Sequence, residues 1–122
     1  MELQLLGGEF SVCKVNGPEE VDFSAPFLFI GSTDEELSLV CPTQYVPQSA
    51  IVSEHGWRAM RICGELDFSL TGILAKLAGV LAQNNIPIFA VSTYNTDYIL
   101  IKKDTLAAAT DCLQRAGYRF AY

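Results

Sequence analysis

The chain has 122 residues, half of them apolar, with a formal charge of −6 and eight Lys and Arg residues that form no cluster. This composition fits a compact fold and excludes extended disorder. The charge pattern argues against a nucleic-acid partner, which needs a basic stripe, and against docking on an anionic membrane.

No run reaches the roughly 18 consecutive apolar residues of a membrane span. Met1–Leu6 carries Glu2 and lacks the basic start and apolar core of a secretory signal, so a cytoplasmic location is expected. Cys13, Cys41, Cys63 and Cys112 are far apart in sequence and have no second ligand type at metal spacing. They read as small apolar residues in a reducing compartment, with no metal or cofactor expected.

Residues 3–15 read as extended, interrupted at Gly7-Gly8. Asn16-Gly17-Pro18 is a turn. Phe27–Thr33 and Leu37–Cys41 form a predicted β-hairpin around Asp34-Glu35-Glu36, and Tyr45–Ile51 amounts to one helical turn. His55-Gly56 reads as a break before the strand Trp57–Cys63, in which Arg58 and Arg61 alternate with apolar residues.

Leu70, Ile73, Leu74, Leu77 and Leu81 recur at helical spacing and predict a helix over 70–85, apolar enough to be covered on more than one side. Asn84-Asn85 ends it and Pro87 forbids its continuation. Strands are expected at 86–92 and 98–102, with a polar turn at 94–97. A second helix is expected from an Asp104 cap, with Leu106, Ala109, Leu113 and Ala116 inward and Gly117 at its end. Tyr118–Tyr122 closes the chain as a strand.

The second half thus reads β-α-β-β-α-β, the split βαβ or ferredoxin-like arrangement of an α+β protein. The first half reads as a helix-poor copy of it. Phe27-Leu-Phe-Ile-Gly-Ser-Thr33 aligns without gaps with Pro87-Ile-Phe-Ala-Val-Ser-Thr93, and Glu20-Val-Asp-Phe-Ser24 aligns with Glu65-Leu-Asp-Phe-Ser69. The two offsets differ by about the length of the helix over 70–85. We read subdomains at 1–56 and 57–122, sharing a core in one compact fold.

At Leu66-Asp-Phe-Ser-Leu-Thr-Gly-Ile-Leu-Ala75 and Ser92-Thr-Tyr-Asn-Thr-Asp-Tyr98 the chain resembles the ACT domain family. It is most similar to small bacterial proteins with two ACT-like units. Those in turn resemble the regulatory part of aspartate kinases and the cytosolic arginine sensors of animal cells. The resemblance implies a ferredoxin-like ACT unit in the C-terminal half, paired with a degenerate ACT-like unit in the N-terminal half. It also implies a non-catalytic, regulatory role with a free amino acid as ligand, bound between two units, and a homo-oligomer such as a dimer.

Carried over residue by residue, the implied ligand contacts are Asp67, Ser69, Leu70, Thr71, Gly72 and Ile73 on one wall. On the other wall they are Ser92, Thr93, Tyr94 and Asp97. The position matching Leu70 is acidic in the arginine sensors and apolar here, which argues against a cationic ligand.

The chemistry of these residues suits that role, and each has a plainer reading. A helix start offers unpaired N–H groups to a carboxylate. Gly72 lets a ligand approach the backbone or lets the helix pack closely on a strand. Either Asp67 or Ser69 caps the helix, and Asp97 serves a ligand or a local turn. His55, the one histidine, has no paired nucleophile in the pattern. Two further readings are an interaction or oligomerisation module with a vestigial pocket, and a hydrolase or transferase built on Asp67 and Asp97. The last lacks an accompanying nucleophile.

Overall fold

The computed structural model describes residues 1–64 and 71–121. They form two compact units, one of residues 1–7 with the segment from Arg58 onward, the other of residues 8–57. Met1–Gly7, placed by sequence with the N-terminal half, therefore belongs with the C-terminal unit. The boundary falls inside one long strand, between Trp57 and Arg58.

In the first unit, β1 (Glu2–Leu5) pairs antiparallel with the end of β5 (Val52–Ile62) and parallel with β8 (Arg119–Ala121). On the other side β5 pairs with β7 (Asp97–Lys102), which pairs with β6 (Phe89–Ser92). The predicted β-α-β-β-α-β order is present, with one change. Residues 2–5 enter as an additional strand between β5 and β8, which a local pattern does not reveal because strand neighbours are chosen by long-range pairing.

Two helices, α1 (Ile73–Gln83) and α2 (Leu106–Arg115), supply the apolar cover. Leu77 and Leu81 of α1 and Ala109, Cys112 and Leu113 of α2 are buried in one cluster with Leu3, Met60, Ile62, Ile99 and Ile101. The strand residues follow period two, so Arg61 and Tyr98 fall on the opposite sheet face from Met60, Ile62, Ile99 and Ile101. Burying a leucine fully is worth about 1.5–3 kcal/mol.

The helix starts later than predicted, at Ile73, with Gly72 in the N-cap position. The caps expected from sequence, Asp67 or Ser69, lie outside the described residues. Ala75 and Ala82 are exposed, so α1 is covered on a narrower face than its composition predicts. In α2 the N-cap is Thr105 and not Asp104, because Lys103–Thr105 forms a 3-10 turn first. Ala116 is exposed, and Cys112 takes the inward place expected of it.

Both helices end in the same way. Asn85, at φ 58, follows the α1 cap, with Asn85 N–H donating to Ala82 O (3.0 Å) and Ile86 N–H to Leu81 O (3.0 Å). Gly117 N–H donates to Gln114 O (3.0 Å) and Tyr118 N–H to Leu113 O (3.0 Å). These paired bonds are the Schellman motif, and in each the residue beyond the cap packs into the core beside its partner.

In the second unit, β3 (Phe29–Ser32), β4 (Leu37–Pro42), β2 (Phe10–Val15) and the start of β5 lie in that order, all antiparallel. Cys13, Val15 and Leu39 are covered by Val21, Leu28, Val46 and Ala50 from irregular segments. His55-Gly56 does not break β5. The register against β2 shifts between Phe10↔Trp57 and Val12↔Glu54, and Gly56 has φ 87, so the dipeptide forms a glycine bulge within the strand.

The internal repeat is visible in the elements. Strand Phe29–Ser32 has its counterpart in Phe89–Ser92, Leu37–Pro42 in Asp97–Lys102, and the 3-10 turn Thr43–Tyr45 in Lys103–Thr105. Each hairpin closes identically, Thr33 N–H donating to Glu36 O and Thr93 N–H to Thr96 O, both at 2.9 Å.

Three outcomes follow from this packing. Leu81→Ala removes a fully buried side chain and should lower stability by about 2–5 kcal/mol in urea titration. Gly56→Ala should cost about 1–2 kcal/mol through the left-handed backbone, also read in urea. Burial, with a smaller contribution from Cys13, pushes the Cys41 thiol up from 9.0 to about 11. Its folded form therefore holds the proton longer than the unfolded chain. Stability contributed by Cys41 should be intact below pH 9 and lost as pH rises toward about 11, and the loss should be smaller in Cys41→Ala.

Candidate functional site

The start of α1 positions the first group of predicted contacts. Gly72 has φ 75, a conformation that residues other than glycine rarely adopt, and among the described residues a Cβ built there meets nothing within 4 Å. The glycine is thus required by backbone direction. Lys76 N–H donates to Gly72 O (2.8 Å), which opens the helix.

Thr71, Gly72 and Ile73 line a cavity of about 260 Å³ together with Met1, Lys76, Ala116, Gly117 and Tyr118. Here the N-terminus of α1 meets the C-terminal cap of α2. The partial positive charge of one helix end and the Lys76 ammonium border a cavity whose far side carries the carbonyl end of another helix. Burial raises the Tyr118 phenol above its ordinary range, so its hydroxyl keeps the proton at neutral pH.

Lys76 and Tyr118 were not singled out from sequence. Lys76 falls inside the predicted helix over 70–85, and Tyr118 starts the predicted closing strand. Only the docking of α2 beside α1 places them at one cavity.

The second group sits on the β6–β7 hairpin. Ser92 and Asp97 are direct cross-strand partners, and Ser92 Oγ donates to Asp97 Oδ1 at 2.6 Å. Asp97 is half-buried, whereas Ser92, Thr93 and Tyr94 are exposed. The bond holds the Asp97 carboxylate across the hairpin rather than in a turn of its own. Thr93 Oγ1 donates to Thr96 O (2.9 Å) and is engaged in closing the hairpin. None of these four residues lines the cavity at α1. Asp67, Ser69 and Leu70 lie outside the described residues.

The sequence copy of the loop, Glu20–Ser24, is described. Ser24 N–H and Oγ donate to Asp22 Oδ1 at 3.0 and 2.5 Å, and these bonds hold the Asp22 carboxyl below its ordinary range. The motif forms an Asx-type turn there and leads into no helix.

One constellation was missed. Ser11 Oγ lies 2.6 Å from His55 Nδ1 and 2.8 Å from Thr43 Oγ1, and Thr43 Oγ1 lies 3.2 Å from Glu9 O. A serine beside a histidine invites a catalytic reading, and proton accounting argues against it. The Glu9 carbonyl only accepts, so the Thr43 proton goes there. Ser11 must then donate to Thr43 and accept from His55 Nδ1–H. With the protons so placed the histidine donates and is not a base toward Ser11, and Ser11 is in any case fully buried, out of reach of a substrate. The glycine bulge creates this arrangement by re-aiming His55, which sequence spacing does not encode.

Among the described residues no three His, Cys, Asp or Glu side chains gather as metal ligands, and no helix is long and apolar enough to cross a membrane.

Comparison with known proteins agrees with this architecture. The family profile described as the ACT domain matches residues 52–115. The cytosolic arginine sensor for mTORC1 subunit 1 of Mus musculus is 33% identical over 106 residues, which is 81% of this chain and 31% of that protein. The chain thus spans about a third of the length of that curated relative. A crystal structure from Agrobacterium tumefaciens has a TM-score of 0.87 at 31% identity, covering 98% of this chain and 91% of the other. The regulatory subunit of aspartate kinase from Thermus thermophilus shares the fold alone, with a TM-score of 0.67 at 10% identity over 94% of this chain and 96% of that one. With the β-α-β-β-α-β order in place and the profile covering β5 through α2, this chain belongs to the ACT domain family.

Proposed function

We propose that this chain is a non-catalytic regulatory module that binds a free amino acid or a similar small molecule. The observation that carries this reading is the cavity at the start of α1, lined by Thr71, Gly72 and Ile73, in a chain related to a curated arginine sensor. N–H groups at the first turn of α1, with Lys76 beside them, suit a ligand carboxylate. The ligand ammonium is assigned to Asp67 and Asp97. Asp97, oriented by Ser92, lies outside the α1 cavity, and in this reading its hairpin wall meets the ligand from the second chain of the proposed dimer. Ser69, Leu70, Thr93 and Tyr94 complete the proposed contacts.

The apolar residue at Leu70 favours a ligand with an uncharged side chain. The relatives named cytosolic support a cytosolic location, and a homodimer is the proposed assembly.

A second reading, an interaction module with a vestigial pocket, is favoured by exposed apolar residues. Tyr94 is 75% exposed and Phe23 73%. A monomer in sedimentation at micromolar concentration would count against both that reading and the proposed dimer.

The amino-acid reading is checked by a thermal-shift screen of the twenty amino acids. At least one should raise the melting temperature by a few degrees at millimolar concentration, since a ligand at about 100 times its Kd adds roughly 2.7 kcal/mol. Asp97→Ala should weaken that ligand about tenfold or more, as expected for loss of a charged hydrogen-bond partner. Absence of any shift across the twenty would remove the proposal.

A further inference from the structure

β3 ends the strand order of the N-terminal unit. Among the described residues it pairs with β4 alone, which leaves its other long edge bare. The hairpin settles which groups face that edge. Thr33 N–H donates to Glu36 O, so the Thr33 main chain points toward β4. This direction alternates along a strand, and Gly31 and Phe29 therefore also bond toward β4, opposite Ser38 and Val40. Ile30 and Ser32 turn their N–H and C=O groups outward.

A bare edge is a template for another strand, and proteins blunt it with charge, proline or a bulge. β3 has none of these. Phe27–Thr33 contains no charged residue and no proline, and the register against β4 runs without a shift from Phe29↔Val40 to Ser32↔Leu37. Ile30 is 44% exposed, although Leu39 directly opposite it is buried. β6, the corresponding strand of the other unit, follows Pro87 and has its Ser92 bonded to the Asp97 carboxylate.

Charge selects the occupant. A strand that pairs across a two-fold axis meets its own twin, so a charge within it faces a like charge. The chain carries a formal −6, yet this segment carries no charge at all. The acids of the adjoining turn, Asp34, Glu35 and Glu36, set the direction. Antiparallel pairing sends the two turns to opposite ends of the seam, whereas parallel pairing stacks them. Gly31 suits the centre. Its φ is not left-handed, and among the described residues a Cβ there would meet Ser38 Oγ at 3.0 Å, a hydroxyl that can rotate away. With no side chain, two Gly31 main chains can take the close spacing of a non-hydrogen-bonded pair.

We infer that β3 is a seam between two copies of this chain, joined antiparallel about a two-fold axis at Gly31. Ile30 of each copy exchanges both main-chain hydrogen bonds with its partner's Ser32, and the exposed Ile30 side chains meet diagonally across the seam. The inference does not rest on amino-acid binding: the seam lies in the unit of residues 8–57, which holds none of the contacts proposed above.

The test uses the full chain without added amino acid, by sedimentation and by residue-level amide exchange in nuclear magnetic resonance. The chain should be dimeric at submillimolar concentration. In the dimer the Ile30 and Ser32 amides should exchange about tenfold or more slowly than in the monomer obtained by dilution, while Phe29 and Gly31 stay protected in both. Ser32→Pro removes an outward N–H and leaves the β3–β4 ladder intact. It should raise the dimer dissociation constant about tenfold or more, with Phe29 and Gly31 still protected. Ile30→Lys, at an exposed position, sets like charges across the seam and is the second variant if Ser32→Pro does not fold. It should weaken the dimer severalfold, and more at low salt. A chain that stays monomeric would overturn the inference. So would a dimer whose Ile30 and Ser32 amides exchange as fast as in the monomer, or one that neither variant weakens, since such a dimer uses another surface. The thermal-shift screen judges the amino-acid reading separately.

Discussion

The contact of α1 and α2 with one face of the C-terminal unit's sheet is the constraint on which the rest of that unit depends. Leu77, Leu81 and Leu113 meet Leu3, Met60, Ile62, Ile99 and Ile101 with essentially no exposure. This burial fixes the helix axes, and the two Schellman caps then fix where each helix stops. Because Ile86 and Tyr118 pack back beside Leu81 and Leu113, the caps belong to the core and are not trailing ends. The start of α1 is thereby set against the end of α2, and the cavity bordered by Gly72 and Gly117 is the result.

The two units show what one repeated plan does with and without helices. The hairpin, its threonine-closed turn and the following 3-10 turn recur in both. The N-terminal unit has irregular segments where the other has α1 and α2, and Val21, Leu28, Val46 and Ala50 from those segments cover its sheet face. The consequence for function is asymmetric. A helix-start cavity of the kind at Thr71–Ile73 requires a helix, and Glu20–Ser24 ends in a local Asx-type turn instead. The copy at Glu65–Ser69 is the one that precedes a helix in the chain.

Much of this was legible in the residues. Period-two runs located the hairpins, helical spacing located α1 and α2, and Asn85, Pro87 and Gly117 marked where the helices end. The errors share one cause. The helix start at Gly72, the Thr105 cap and the bulge at His55-Gly56 are decided by backbone geometry in tertiary context, where several local choices have similar energies. Ser11 and His55 are far apart in sequence and gave no signal of their meeting. Lys76 and Tyr118 likewise acquire a role only from what the fold places beside them.

Sequence by itself determined the element types and the repeat, because apolar periodicity and turn chemistry are local properties carried by each segment, and the resemblance of two motifs, Leu66–Ala75 and Ser92–Tyr98, pointed to the family. Tertiary structure alone decided that residues 2–5 join the C-terminal unit between β5 and β8, and that the His55 ring meets Ser11. It also decided that β3 lies at a sheet edge, and that the first turn of α1 borders a cavity. Each of these depends on pairing or packing between distant segments, whose outcome is set by the burial of the whole sheet face and not by any residue's own preference.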